Sequence, residues 1–185
     1  MNQSDPAPDN LLVTGPPGVG KTTLIISLLP YLRVYRPAGF FTREIRVGGI
    51  RKGFELVSLS GESLMLAHTG IAGRERVGKY GVDKEGFHRY IEQLRGSLPG
   101  RGLVIFDEIG KMEVLSGEFR ELVTDVLDGK TPLLATIARK GDHFIEGIKE
   151  RPDVALVEIT RDNREGMAGG LLPVIRAMVR KAERD

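Results

Sequence analysis

The sequence predicts an α/β fold: a mainly parallel sheet flanked by helices in three layers, with one antiparallel hairpin added. Three observations carry this. Continuous apolar runs at residues 11–13, 103–106, 133–138 and 154–159 read as strands buried on both faces. Capped segments of helical character lie between them, and strands alternating with helices pair in parallel through crossovers. Two alternating runs meet at Gly48-Gly49, a hairpin signal.

The elements follow in order. Residues 11–13 form a strand that runs into glycines, and residues 23–29 form an apolar helix. That helix is expected to stop at Pro30, which lacks an N–H to continue it. Residues 40–47 and 54–59 are the arms of the hairpin, and 64–67 a further short strand. Residues 70–81 read as a loop, with glycines at 70, 73, 78 and 81 and Arg74, Arg76 and Lys79 between them. Asp83 is placed to cap a helix over 87–94. After the strand at 103–106, Ser116 opens a helix over 117–127 that Gly129 ends. The strand at 133–138 is followed by a short helix at 144–149, closed by Pro152. The strand at 154–159 leads to a last helix over about 165–180, with Pro173 as a kink site.

The junction of the first strand and helix is the most informative segment. Gly15-Pro16-Pro17-Gly18-Val19-Gly20-Lys21-Thr22-Thr23 satisfies the pattern G-x-x-x-x-G-K-[ST]. Glycines let successive N–H groups turn inward around a phosphate chain without Cβ collisions. The Lys21 ammonium neutralises β and γ phosphates, and the Thr22 hydroxyl is a hard ligand for Mg²⁺. The helix beginning near Lys21 points its positive end at the same anion. Loop, strand and helix together predict a P-loop fold.

A second constellation closes the strand at 103–106. Asp107 sits at a strand end, where such folds hold Mg²⁺, and Glu108 beside it is placed to accept a proton from an attacking water. Lys21 and Glu108 are therefore the candidate catalytic residues, and Thr22 and Asp107 the candidate metal ligands. The separation of the two motifs points to the P-loop subclass with a catalytic Glu and a strand inserted between the motif strands. The strand at 133–138 is the candidate insert, with Thr136, Ala138 and Arg139 at its end. Arg43, Arg74, Arg76, Lys79, Arg139 and Arg164 are cations in loops or at strand ends that could approach an anionic transition state. In the segment 160–164, Asn163 could hydrogen-bond a base and Arg164 could stack on it; alternatively Asp162 or Asn163 caps the last helix.

Composition narrows the classes. Length predicts one domain over residues 1–185, with residues 1–9 a frayed end rather than a basic, apolar leader. A net charge of +2, with no dense basic run, does not indicate nucleic acid. With no cysteine, disulfides, zinc thiolates and thiol catalysis are excluded. His68, His88 and His143 are scattered without metal-ligand spacing. No apolar run approaches ~18 residues, so no membrane span is expected. A soluble cytoplasmic protein, monomeric by default, is the expectation.

Several further segments are particular: Gly39-Phe40-Phe41-Thr42-Arg43-Glu44-Ile45-Arg46, Gly73-Arg74-Glu75-Arg76-Val77-Gly78-Lys79-Tyr80-Gly81-Val82, and Asp107-Glu108-Ile109-Gly110-Lys111-Met112-Glu113. With the phosphate loop and residues 160–164, they make most of the chain resemble a known family. It is the small nucleoside-triphosphatases first described from thermophiles, with a human cancer-related relative. The resemblance implies Mg²⁺-dependent hydrolysis of several nucleoside triphosphates to diphosphate and phosphate, with loose base selectivity. It places nucleotide contacts on Gly15, Pro16, Pro17, Gly18, Val19, Gly20, Lys21, Thr22 and Thr23. It places a second nucleotide motif on Leu103, Val104, Ile105, Phe106, Asp107, Glu108, Ile109 and Gly110. Ala138-Arg139-Lys140 departs from the family, where a histidine is frequent. A nucleoside or nucleotide kinase with the same phosphate loop remains the alternative. A switch module acting on nucleic acid fits less well, because Lys21, Asp107 and Glu108 are all present.

Overall fold

The computed structural model describes residues 7–184. Residues 1–6 of the expected frayed end lie outside the described residues. The chain runs β1 (Asn10–Thr14), α1 (Lys21–Leu32), β2 (Ala38–Val47), β3 (Ile50–Ser58), β4 (Ser63–His68), β5 (Arg76–Val77) and β6 (Tyr80–Val82). It continues α2 (Lys84–Ser97), β7 (Val104–Ile109), α3 (Gly117–Asp128), β8 (Leu133–Ile137), α4 (His143–Lys149), β9 (Val154–Glu158) and α5 (Arg164–Ala182). Short 3₁₀ turns lie at Arg33–Tyr35 and Glu113–Leu115.

All nine strands join one sheet in the order β5-β6-β4-β3-β2-β7-β8-β1-β9. The part from β2 to β9 is parallel. Strand β8 lies between β7 and β1, as expected for the inserted strand. The other part is antiparallel and larger than the single hairpin expected, because β4, β6 and β5 extend it.

Alternation along the parallel strands makes the three layers. Leu11, Val13, Ile105 and Leu134 pack with Leu24, Ile25 and Leu28 of α1 and Ile175 and Met178 of α5. Leu12, Val104, Phe106, Leu133 and Ala135 face the other way, onto α2, α3 and α4. The second core is aromatic: Phe40 stacks on Phe106 at 5.4 Å between centroids, and Phe119 meets Phe106 at 5.5 Å.

Caps appear where the sequence places them. Asp83 accepts from the Gly86 N–H at 2.9 Å, and Ser116 from the Phe119 N–H at 3.1 Å. Two expectations are corrected. Helix α1 does not stop at Pro30 but runs to Leu32. Burial of Leu28 and Leu32 holds the last turn and outweighs the one backbone bond, to the Ile26 carbonyl, that the exposed Pro30 cannot make. The segment 70–81 is not all loop: Val77 pairs with Tyr80 across a two-residue Gly78-Lys79 turn, with Gly78 at φ 58°. Helix α5 is continuous through Pro173.

Gly39 is the tightest backbone position beside the motifs. It has φ 131°, and a Cβ there would strike the Ile105 carbonyl of β7. Its own carbonyl accepts from the Leu59 N–H and the Tyr90 hydroxyl. Gly96, by contrast, lies exposed in α2 with open space around it. Gly39→Ala should therefore cost about 2–4 kcal/mol in urea unfolding, while Gly96→Ala should gain roughly 0.5–1 kcal/mol. Equal effects from the two substitutions would contradict this placement of β2 against β7.

Candidate active site

Strand β1 delivers the chain to Gly15, whose Cβ position is already filled by the Ile159 carbonyl at 2.5 Å. Gly18 (φ 73°) and Gly20 (φ 116°) take left-handed conformations that turn the loop around. The Val19 N–H bonds the Pro16 carbonyl at 3.2 Å, closing the turn. Pro17, Gly18 and Thr23 are exposed, Pro16, Gly20 and Thr22 half-buried. Helix α1 begins at Lys21 with no side-chain cap and no acidic residue in its first turn. Helices α2, α3 and α4 each have both. The free first-turn N–H groups of α1 suit an anion instead.

Lys21 is 8% exposed; its Nζ donates to the Gly15 carbonyl at 3.4 Å and lies 3.2 Å from Glu108 Oε2. The two candidate catalytic residues are thus an ion pair joining the loop helix to β7. Leu103 precedes β7, and Val104, Ile105, Phe106 and Ile109 are core side chains. Their burial places Asp107 and Glu108 rather than contacting a ligand. The strand carries through Asp107 and Glu108 to Ile109, farther than the apolar run suggests.

Asp107 is fully buried. Thr136 of β8 donates to its Oδ1 at 2.5 Å, the Thr42 N–H of β2 approaches its Oδ2 at 3.5 Å, and Thr22 hydrogen-bonds the same carboxyl. Burial pushes this acid above the usual carboxylate range; the Glu108 charge adds to that, and the hydrogen bonds pull partly back. A buried carboxyl met by hydroxyls, with no cationic side chain paired to it, suits a hard divalent cation. Among the described residues no cluster of three or more His, Cys, Asp or Glu could hold a metal.

A third acid was not singled out for chemistry in the sequence. Glu113, in the turn after Gly110, is 5% exposed. Its pKa is pushed up to about 8, by burial first and then by the charges of Glu108 and Asp107. An acid enclosed in the apolar run Met112-Glu113-Val114-Leu115 is the local signal that could have found it.

The other candidates are dispersed. Asn163 Oδ1 accepts from the Thr160 N–H at 2.8 Å and its amide donates to the Glu158 carbonyl at 3.0 Å. Asn163 occupies the N-cap position of α5 but makes no side-chain cap bond. Arg164 is exposed on the first turn of α5. Arg139 pairs with Glu158 at 3.5 Å, Arg43 with Glu55 at 2.8 Å, and Arg76 holds carbonyls of its own loop. Arg74 is exposed, and Lys79 lies over the Tyr80 ring. His68 accepts from the Gly70 N–H and His88 faces Glu118. A hollow lined by Asp9, Asp128, Arg151 and Asp153 lies at the other ends of the strands, before β1 and β9, away from these motifs.

Comparisons with known proteins show the family of the chain. The sequence matches the model of a family described as NTPase over residues 10–172. It is 42% identical over 167 residues to the nucleoside-triphosphatase THEP1 of Thermotoga petrophila, covering 90% of this chain and 92% of the relative. The crystal structure of THEP1 from Aquifex aeolicus superposes with a TM-score of 0.78 at 31% identity, over 90% of this chain and 98% of the other. The solution structure of a human cancer-related nucleoside triphosphatase gives 0.75 at 35% identity, over 93% and 97%. No described helix is long and apolar enough to cross a membrane. The family match runs from β1 into α5 and takes in both motifs, and the chain belongs to the NTPase family.

Proposed function

We propose that this chain hydrolyses several nucleoside triphosphates to diphosphate and phosphate with Mg²⁺, and discriminates weakly between bases. The observation that carries the reading is the Lys21–Glu108 ion pair between the phosphate loop and the strand that bears Asp107. The loop N–H groups and the α1 N-terminus bind the phosphates. Lys21 turns from Glu108 to the β and γ oxygens, because a triphosphate offers more negative charge than one carboxylate. Glu108 is thereby released as a proton acceptor. A water oxygen attacks the γ-phosphorus, its proton passes to Glu108, and the bond to the bridging oxygen of the diphosphate breaks. Thr22 and Asp107 would hold Mg²⁺, which neutralises charge on the β and γ oxygens.

Weak base discrimination follows from where polar groups are spent. Asn163 bonds its own loop, leaving the stacking surface of Arg164 as the main candidate contact with a base. Stacking accepts every base, whereas close reading needs committed hydrogen bonds. The kinase alternative has less support. The matched relatives are triphosphatases, and the segment between the motifs extends the central sheet rather than forming a separate acceptor domain.

Three outcomes are expected. Lys21→Ala should abolish phosphate release, since it removes the side-chain cation that meets the β and γ oxygens; turnover at the normal rate would remove the cradle assignment. Glu108→Gln should still bind Mg²⁺-nucleotide in a fluorescence titration yet lose roughly 10²–10⁴-fold in kcat. Wild-type kcat in that variant would show that another group activates water. Finally, kcat/KM for ATP, GTP, CTP and UTP should differ modestly, and a preference of ~10⁴-fold would reveal a pocket that reads one base.

A further inference from the structure

Glu113 is the one buried acid near the site that the proposed reaction does not use. Among the described residues no cationic side chain pairs with it. Its position relative to Glu108 is specific. A side chain at Gly110 would meet Glu113 Oε2 at 2.7 Å and Glu108 Oε1 at 2.8 Å, so the two carboxyls converge on one point beside that glycine. The other Glu108 oxygen, Oε2, is the one held by Lys21. Two acids that converge where one is buried and the other half-buried cannot both ionise cheaply. The more buried one, Glu113, keeps its proton at neutral pH, and the N–H groups of Gly110 and Glu113 offset only part of its burial.

The surrounding charges do not change this assignment. From β7 come Asp107 and Glu108, both raising the affinity of Glu113 for a proton. Lys21 of α1 is engaged by Glu108. On α3, Arg120 is committed to the Val114 carbonyl and Asp142, and Glu118 to Ser116 and His88. Tyr80 of β6, whose side packs on Met112 and Leu115, turns its hydroxyl to Arg51.

We propose that Glu113, as a neutral carboxylic acid, is a positioning residue for Glu108: its O–H holds the Glu108 carboxylate when a triphosphate draws Lys21 away. This rests on the hydrolase reading of Glu108. The problem it solves is physical. A general base that loses its only counter-ion on substrate binding would turn freely. A hydrogen bond from an acid to a carboxylate is charge-assisted, so it fixes the base in place. The proton stays on Glu113 throughout. Ionised Glu113 would instead repel Glu108, so the device works only below the pH at which Glu113 titrates.

The test compares Glu113→Gln and Glu113→Met in kcat, KM and urea unfolding across pH 6–9.5. Glu113→Met removes the donor and should lose roughly 10- to 100-fold in kcat with KM nearly unchanged. Glu113→Gln supplies an amide donor that does not titrate and should recover most of that loss. Wild-type kcat should fall as pH rises through about 8, and this alkaline limb should vanish in Glu113→Gln. Unfolding gives a readout independent of catalysis. Between the ordinary glutamate range and about 8 the folded protein holds a proton the unfolded chain has lost, so stability falls as pH rises. Glu113→Gln should remove the part of that slope that Glu113 contributes, leaving the part from Asp107. The proposal is overturned if Glu113→Met keeps wild-type kcat, if Glu113→Gln keeps the alkaline limb, or if both variants lose kcat only in step with stability. Where Glu113→Met fails to fold, the pH profile of Glu113→Gln decides alone. Glu108→Gln measured alongside separates the two readings. A normal rate there removes the base itself, whereas a slow Glu108→Gln with a fast Glu113→Met removes only the positioning role.

Discussion

The burial of Asp107 is the constraint on which the site depends. A carboxyl in the middle of a sheet must find hydrogen bonds there, since water does not reach it. Its partners come from both neighbouring strands, Thr42 on β2 and Thr136 on β8, and from Thr22 at the start of α1. That set exists only with β7 between β2 and β8 and with the phosphate loop above them. The strand order and the tight Gly39–Ile105 approach therefore serve the placement of one acid. Loss of any of the three hydroxyl or N–H partners leaves a buried polar group short of a bond, which costs more than the bond contributes.

Around that acid the charge is unbalanced in a useful way. Asp107, Glu108 and Glu113 crowd one end of β7, and Lys21 is the cation paired within the group. Two of the acids are pushed toward their protonated forms, leaving Glu108 as the carboxylate that takes the lysine. Such a site gains from a divalent cation and a polyphosphate together. On the proposed mechanism a cation would relieve Asp107 and the phosphates would draw Lys21 from Glu108, so that substrate binding and release of the base would be one event.

The legible parts of the sequence were those with local physics. The glycines and Lys21 of the phosphate loop announce themselves through backbone freedom and fixed spacing. Caps at Asp83 and Ser116 and the apolar strands at 103–106 and 133–138 were equally local. The errors had tertiary causes. Pro30 reads as a helix stop, but burial of Leu32 outweighs it. The Gly78-Lys79 turn was masked by surrounding glycines and cations, and its strands are ordered by pairing with β4. The apolar run around Glu113 marks it as a buried acid, but its relation to Glu108 and Asp107 arises only after β7 and the following turn fold together. Asn163, a plausible base contact by composition, is engaged by its own loop through bonds that no residue pattern displays.

On the proposed mechanism water, made nucleophilic beside Glu108, receives the γ-phosphoryl. The most direct measurement is turnover of Mg²⁺-ATP in heavy-oxygen water, with mass spectrometry of both products. One solvent oxygen is expected in each inorganic phosphate and none in the diphosphate. Label in the diphosphate, or a phosphoryl group recovered on a nucleoside acceptor with little free phosphate formed, would contradict it.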